Sequence, residues 1–225
     1  MAEDRSSTTN SLPEPQSGPL GGPQQGPRNV LRQRQNPDLL NPPRTDAGTM
    51  PNLRFSFADA HVRLQPGGWT NEVTQRELPI ATEISGVQMH LNGGETMTGV
   101  RELHWHTENE WAYMLAGTAR ITAVDQFGGS FVDDVNAGDL WFFPSGIPHS
   151  IQAHTEGCEF LLVFDDGSFS ENGTLLLTDL LMHTPPEVVA KNFGQPESAF
   201  ANLPKEELYI FWAPAPPPLA EALVP

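Results

Sequence analysis

The sequence is short of cysteine, of basic residues and of long apolar runs, and each shortage removes a class of protein. Its one cysteine, Cys158, has no partner for an intrachain disulfide, so the chain is not a small stapled scaffold. Lys and Arg number 12 against 28 Asp and Glu, a formal charge of −16 at pH 7. A surface of that sign repels a phosphate backbone, and nucleic acid is not an expected partner. No apolar run approaches the ~20 residues that a helix needs to cross a bilayer, so a membrane is not expected either. The opening stretch, MAEDRSSTTNSLPEPQ, lacks the basic-then-apolar order of a secretory signal. The expected location is therefore cytoplasmic.

What is present is enough chain for one sizeable domain: 225 residues, a length at which a globular fold buries about 70 % of its unfolded surface. Proline and glycine divide it unevenly. Residues 1–50 read as Pro, Gly, Gln, Asn and Ser with no apolar period, which predicts a mobile arm that buries too little to offset its entropy, with a short clip near Val30–Arg34. From Asn52 the texture changes, and Leu53, Phe55, Phe57, Val62, Leu64 and Trp69 alternate with polar residues. A single domain is expected over residues 51–213. The last stretch, 214–225, returns to polyproline character and suits either a strap against the domain or a linker.

Within the domain the dominant signal is short strands between turns: GVQMHL, RELHWHTE, EWAYMLAGTARITAVD, SFVDDV, DLWFFPSG, HSIQAH and EFLLVFD. Turn spacings of roughly 8–12 residues argue for an antiparallel sandwich or barrel. After Ser168 the pattern turns helical, in LLLTDLLMHTP and then PPEVVAKNFG, with proline at its start and Gly194 at its end. The expected class is all-β, with a small C-terminal helical segment and extended Pro-rich arms.

The most informative segment is His104-Trp105-His106-Thr107-Glu108-Asn109-Glu110. On a strand, residues i and i+2 share a face about 6.6 Å apart, so His104 and His106 point together and Trp105 points away. Glu110 lies four residues further, an even step, and can return to that face if the strand continues or bends back. Two imidazoles and a carboxylate inside a barrel suit a divalent transition metal. His149, after the Pro-Ser-Gly-Ile-Pro turn that follows DLWFF, is placed for a neighbouring strand to present it inward. A lone histidine on a strand is ordinarily a satisfied core or surface residue; His61, His90, His154 and His183 lack such company and read that way.

Two stretches resemble the paired motifs of the cupins. Gly99-Val-Arg-Glu-Leu-His104-Trp-His106-Thr-Glu-Asn-Glu110, six residues, then Gly117 is similar to the first; Gly138, five residues, Pro144-Ser-Gly146-Ile-Pro-His149 is similar to the second. Twenty residues separate them. The first glycine sits one place late, with Thr98 in its usual position, and Ala153 replaces an asparagine that often closes the second motif. RELHWH, EWAYM, GDLWFFPSGIPHSIQA and EFLLVFDDGSFSENGT narrow the resemblance to the N-terminal half of the two-domain oxalate decarboxylases, over about Asn52 to Pro218. The resemblance implies a double-stranded β-helix, the cupin or jelly-roll barrel, of which this chain carries one where the family carries two. The extended arm and the proline strap suit a homo-oligomer, trimer or hexamer, and suit disordered tails equally well.

Carried over residue by residue, the resemblance makes His104, His106, Glu110 and His149 ligands of Mn²⁺, with dioxygen as co-catalyst and oxalate cleaved to formate and carbon dioxide. The ligand set suits Fe²⁺ as well. Arg101 is implied beside the substrate, where its planar fork matches a carboxylate. Its odd offset from His104 points it away from the metal face of a regular strand, so that role requires a bulge or twist at Glu102–Leu103. Glu171 reads on its own as a solvated acid in a polar loop. The resemblance makes it the proton shuttle of a lid, Ser170, Glu171, Asn172, Gly173 and Thr174, since the decarboxylated carbon must be protonated. Gly173 stands where that lid commonly has serine. An acidic optimum is expected, because lowering the pH toward the pI of about 4.6 weakens the repulsion between a −16 protein and a dianion. The competing readings are an oxalate oxidase or other metal-dependent cupin dioxygenase, a non-catalytic cupin that binds a ligand, and a sugar isomerase or epimerase.

Overall fold

The computed structural model describes residues 53–222. The N-terminal arm and its expected clip lie outside the described residues. Antiparallel strands dominate: β1 (Val62–Gln65), β2 (Gly68–Val73), β3 (Ser85–Leu91), β4 (Met97–Trp105), β5 (Glu110–Val124), β6 (Ser130–Asn136), β7 (Leu140–Phe143), β8 (His149–Phe164), β9 (Leu175–Leu176) and β10 (Ile210–Pro214). They form one curled sheet in the order β1-β2-β3-β8-β4-β10, with β5 pairing β6, β7 and β8. Strand β8 is the spine, because it pairs β3, β4 and β5 along its length.

Alternation explains how the sheet closes over a core. In β3 every second residue is buried, which turns Val87, Met89 and Leu91 inward. These meet Ala112 and Met114 of β5, Phe143 of β7, and Ile151, Phe160 and Leu162 of β8 in one apolar cluster. Such inward rows supply most of the stabilisation, at about 25 cal/mol per Å² of apolar surface removed from water. HSIQAH and EFLLVFD, expected as two strands, are one strand of 16 residues. The break expected between them is a glycine in a left-handed conformation, Gly157 (φ 77), inside the continuous strand.

Two glycines are dictated by close approach. A Cβ on Gly117 (φ 74) would sit 1.9 Å from the Gly157 carbonyl oxygen, where β5 crosses β8 with a slipped register. A Cβ on Gly99 would sit 2.1 Å from the Gly67 oxygen. The late glycine of the first motif is thus the residue that lets β4 pass under the β1–β2 turn. Its neighbour Thr98 is buried and accepts a hydrogen bond from Gln152 (3.1 Å).

The region after Ser168 holds the expected helical segment, preceded by the short strand β9. Leu175 and Leu176 first pair with β4, then α1 (Leu177–Met182) and α2 (Pro186–Phe193) follow. Helix α2 begins on its proline and ends on Gly194 in a left-handed cap (φ 60). Strand β10 was not expected: it forms because the free edge of β4 offers a register, Ile210 opposite Arg101 through Pro214 opposite Met97. The Pro-rich stretch beyond it runs on the domain surface, where Ala215 donates to the Thr96 carbonyl (2.9 Å) and Arg120 donates to that of Pro217 (3.0 Å).

Candidate metal centre

His104, at the end of β4, and His106, just past it, sit on one face as the two-residue period demands. The chain then turns, and Glu110 returns as the first residue of β5 rather than by continuation of β4. His149 opens β8 opposite His104. One ligand atom from each of the four side chains lies within 4.8 Å of every other, and all four residues are buried. Among the described residues this is the one such group.

The histidines are oriented before any ion arrives. The Nδ1 atoms of His104, His106 and His149 lie 2.6, 2.9 and 2.7 Å from the carbonyls of Glu102, Glu108 and Ile147. A carbonyl only accepts, so each Nδ1 carries the proton and each Nε2 presents a lone pair. His106 Nε2 stands 3.1 Å and His149 Nε2 3.4 Å from Glu110 Oε2. His149 Nε2 and Glu110 Oε1 are buried with no hydrogen-bond partner. Buried acceptors that face one another call for a cation between them, and three imidazoles with one carboxylate suit Mn²⁺ or Fe²⁺. Phe143 stacks on His149 at 4.0 Å between centroids, which locks that ring from behind.

Electrostatics agree. Burial, then the Arg101 charge and the His149 ring, hold His104 well below its usual range, so it stays neutral. Burial raises the Glu110 carboxyl, but hydrogen bonds and positive charge at the His106 and His149 Nε2 positions outweigh it and hold it down to about 2; a bound cation supplies that charge when those nitrogens carry lone pairs. Cys158 is excluded as a nucleophile, since burial pushes its thiol up to about 12.

Arg101 and Glu171 line the same cavity as His104, His106 and Glu110. The register between β4 and β8 slips between Arg101 and His104, and that irregularity puts Arg101 on the metal side despite its odd offset. The Arg101 guanidinium is buried, donates to the Tyr209 carbonyl (3.3 Å) and lies 3.9 Å over the Tyr209 ring. Tyr209 takes a left-handed backbone (φ 52) that costs a bulky residue energy. The buried Glu102 carboxylate holds it there by accepting the Tyr209 N–H (2.9 Å), and accepts the Thr178 N–H as well (2.7 Å). Neither Glu102 nor Tyr209 was singled out by the sequence; no local pattern carries a contact between residues so far apart.

Ser170 caps a short 3₁₀ turn, Glu171–Gly173, by accepting the Asn172 N–H. Thr70 donates to Glu171 Oε1 (2.7 Å). Thr174 is buried and lines the cavity, whereas Asn172 and Gly173 face solvent. Only about 10 Å³ of space remains inside, room for about one water. The other histidines stand apart: His90 stacks on Trp69 and His154 pairs with Asp134 (3.0 Å).

A profile described as Cupin matches residues 56–198. The chain belongs to the cupin family. This cupin is 56 % identical over 215 residues to oxalate decarboxylase OxdC of Bacillus subtilis, which covers 96 % of this chain and 55 % of that protein. It is 39 % identical over 201 residues to a probable oxalate decarboxylase of Arthroderma benhamiae, covering 84 % of this chain and 49 % of that one. A solved structure from work on the Mn(II) centres of the Bacillus subtilis oxalate decarboxylase superposes with a TM-score of 0.79 at 56 % identity, over 95 % of this chain and 56 % of that one. The chain spans about half the length of the curated relatives it matches.

Proposed function

We propose that this cupin is a manganese-dependent oxalate decarboxylase that cleaves oxalate to formate and carbon dioxide, with dioxygen as co-catalyst. The observation that carries the reading is convergence: a guanidinium, Arg101, and a carboxyl, Glu171, open onto the same cavity as His104, His106 and Glu110 of the four-residue cluster. The names of the relatives and the Mn(II) centres of the Bacillus subtilis protein support it.

His104, His106, Glu110 and His149 would hold the metal, which supplies Lewis-acid charge and a one-electron relay when bound. Arg101 binds a substrate carboxylate and resists the repulsion of the acidic surface. Its cradle against Tyr209 fixes the fork, so little freedom is lost on binding. The carbon–carbon bond breaks, one carboxylate departs as carbon dioxide, and the carbon left behind takes a proton to become formate. Glu171 is the carboxyl placed to deliver that proton, and Thr70 holds its Oε1. The small cavity means that the Ser170–Thr174 segment must open to admit oxalate and close to exclude water. A homo-oligomer belongs to the same proposal. Trp111, Tyr113, Leu140 and Phe142 pair across β5 and β7 with partly exposed apolar side chains, a face that suits burial between subunits.

The test is product analysis of manganese-loaded protein with and without dioxygen, beside Glu171→Ala. Formate from the wild type, and peroxide in its place from the variant, is the expected result. Peroxide alone from the wild type would assign an oxidase.

A further inference from the structure

The segment that carries Glu171 is held from one side. Glu72 accepts the backbone N–H of Glu171 (2.8 Å), Thr70 donates to its Oε1 (2.7 Å), and Arg63 donates to Asn172 Oδ1. All three partners lie on the β1–β2 hairpin. Thr70 and Glu72 are two apart on β2 and so share a face, and Arg63 is the direct cross-strand partner of Thr70. The adjacent pair, Leu64 opposite Trp69, points the other way, with Leu64 76 % exposed. One face of a hairpin thus presents a cation, a hydroxyl and a carboxylate in a row to three different polar groups of one short segment.

The same hairpin reaches the substrate side of the cavity. The Arg63 guanidinium lies 4.2 Å over the Tyr209 ring, the ring that also carries Arg101 at 3.9 Å. Strand β1 is at the sheet edge and pairs only with β2. What steadies it is the turn: Gly67 donates to the Ile210 carbonyl (3.3 Å) and accepts from Asn92 (2.9 Å), so the hairpin is anchored to β10, which leads directly from Tyr209.

We propose that the β1–β2 hairpin is the dock of the Ser170–Thr174 segment, with Arg63, Thr70 and Glu72 as positioning residues that set how long Glu171 stays over the metal cluster. The functional consequence rests on the reading of that segment as the proton-carrying lid. The dock itself is a contact between two pieces of chain. A hydrogen bond to a charged group is worth enough that losing one shifts a local equilibrium about tenfold. Opening the segment frees Arg63 from Asn172 at the mouth of the site, where a cation draws an oxalate dianion toward an otherwise acidic protein.

Hydrogen exchange of the full, manganese-loaded chain, followed by mass spectrometry, separates the dock from the chemistry. In Glu72→Ala and in Asn172→Ala the peptide spanning 169–175 exchanges about tenfold faster, while the β8 peptide 149–164 keeps its protection. Asn172 is exposed, so its variant carries the test even if Glu72→Ala does not fold. Arg63→Ala and Asn172→Ala combined should match either single change, because both remove one contact. The formate-to-peroxide ratio should fall in the same variants. Unchanged exchange of 169–175 in the single variants, or additive effects in the double one, would overturn the dock. Faster exchange in a protein that makes no formate would leave the dock standing and remove the decarboxylase reading.

Discussion

Gly173→Ser is the most discriminating single change in the proposed lid. Gly173 closes the 3₁₀ turn, and its N–H donates to the Ser170 carbonyl (2.8 Å). Its backbone is not left-handed, and a Cβ added there meets nothing within 4 Å. Serine therefore fits the closed conformation without strain or collision. What changes is the open ensemble, where glycine visits more of φ/ψ space than serine. Substitutions of that kind at compatible sites are worth about 0.4–1 kcal/mol. At ~0.59 kcal/mol for RT, this multiplies the closed-to-open ratio by about two to five. The closed lid keeps Glu171 at the site, so the ratio of formate to peroxide should rise by the same factor. The assay is simultaneous quantification of both products under air, with hydrogen exchange of 169–175 as an independent measure that should slow equally. An unchanged product ratio with slowed exchange would sever lid occupancy from partitioning. Unchanged exchange would show that glycine's freedom is not what limits closure.

Three further outcomes are expected. His149→Ala or Glu110→Gln removes one of four donors from a pre-oriented cluster, so manganese retained after dialysis, measured by atomic absorption, should fall at least about tenfold with little change in circular dichroism; full retention would show that the ion is held elsewhere. The metal-free protein should lose stability on acidification. The folded state holds His104 below its ordinary 6.5 and Glu110 at about 2 rather than 4.5, so the unfolded chain binds more protons. Stability therefore declines as pH falls below about 6.5 and is lost most steeply between 4.5 and 2, where Glu110 takes up its proton; a Tm that rises on acidification would contradict this. Arg120→Ala should cost about 2 kcal/mol in urea denaturation, because it leaves the Asp134 carboxylate without its guanidinium and frees the Pro217 carbonyl; proteolysis beyond Pro214 should accelerate, and an unaltered midpoint would show that the strap contributes nothing.

Local rules reach part of the four-residue cluster directly. The His104–His106 pair follows from the strand period alone, and the β-rich class follows from alternation and turn spacing. Helix α2 was equally legible, since Pro186 and Gly194 mark its ends by their own dihedral limits. These features depend on neighbours a few residues apart, and such neighbours are adjacent in the sequence too. Arg101 lies beyond what such neighbours specify. Parity on a regular strand turns it outward, and only a register slip against β8 brings it to the cavity that His104, His106 and Glu110 line. Strand β10 belongs to the same kind, because a short segment between prolines becomes a strand only when an open edge offers it hydrogen bonds. Farther still from local reading are the Thr70–Glu171 and Glu102–Tyr209 contacts, which join residues 101 and 107 positions apart. Residue types and the strand period are enough to mark the side chains able to bind a metal and to gather two of them. Which arginine, which tyrosine and which hairpin stand around that site depends on how the strands cross, because contacts between distant residues follow from the crossing and no period records it.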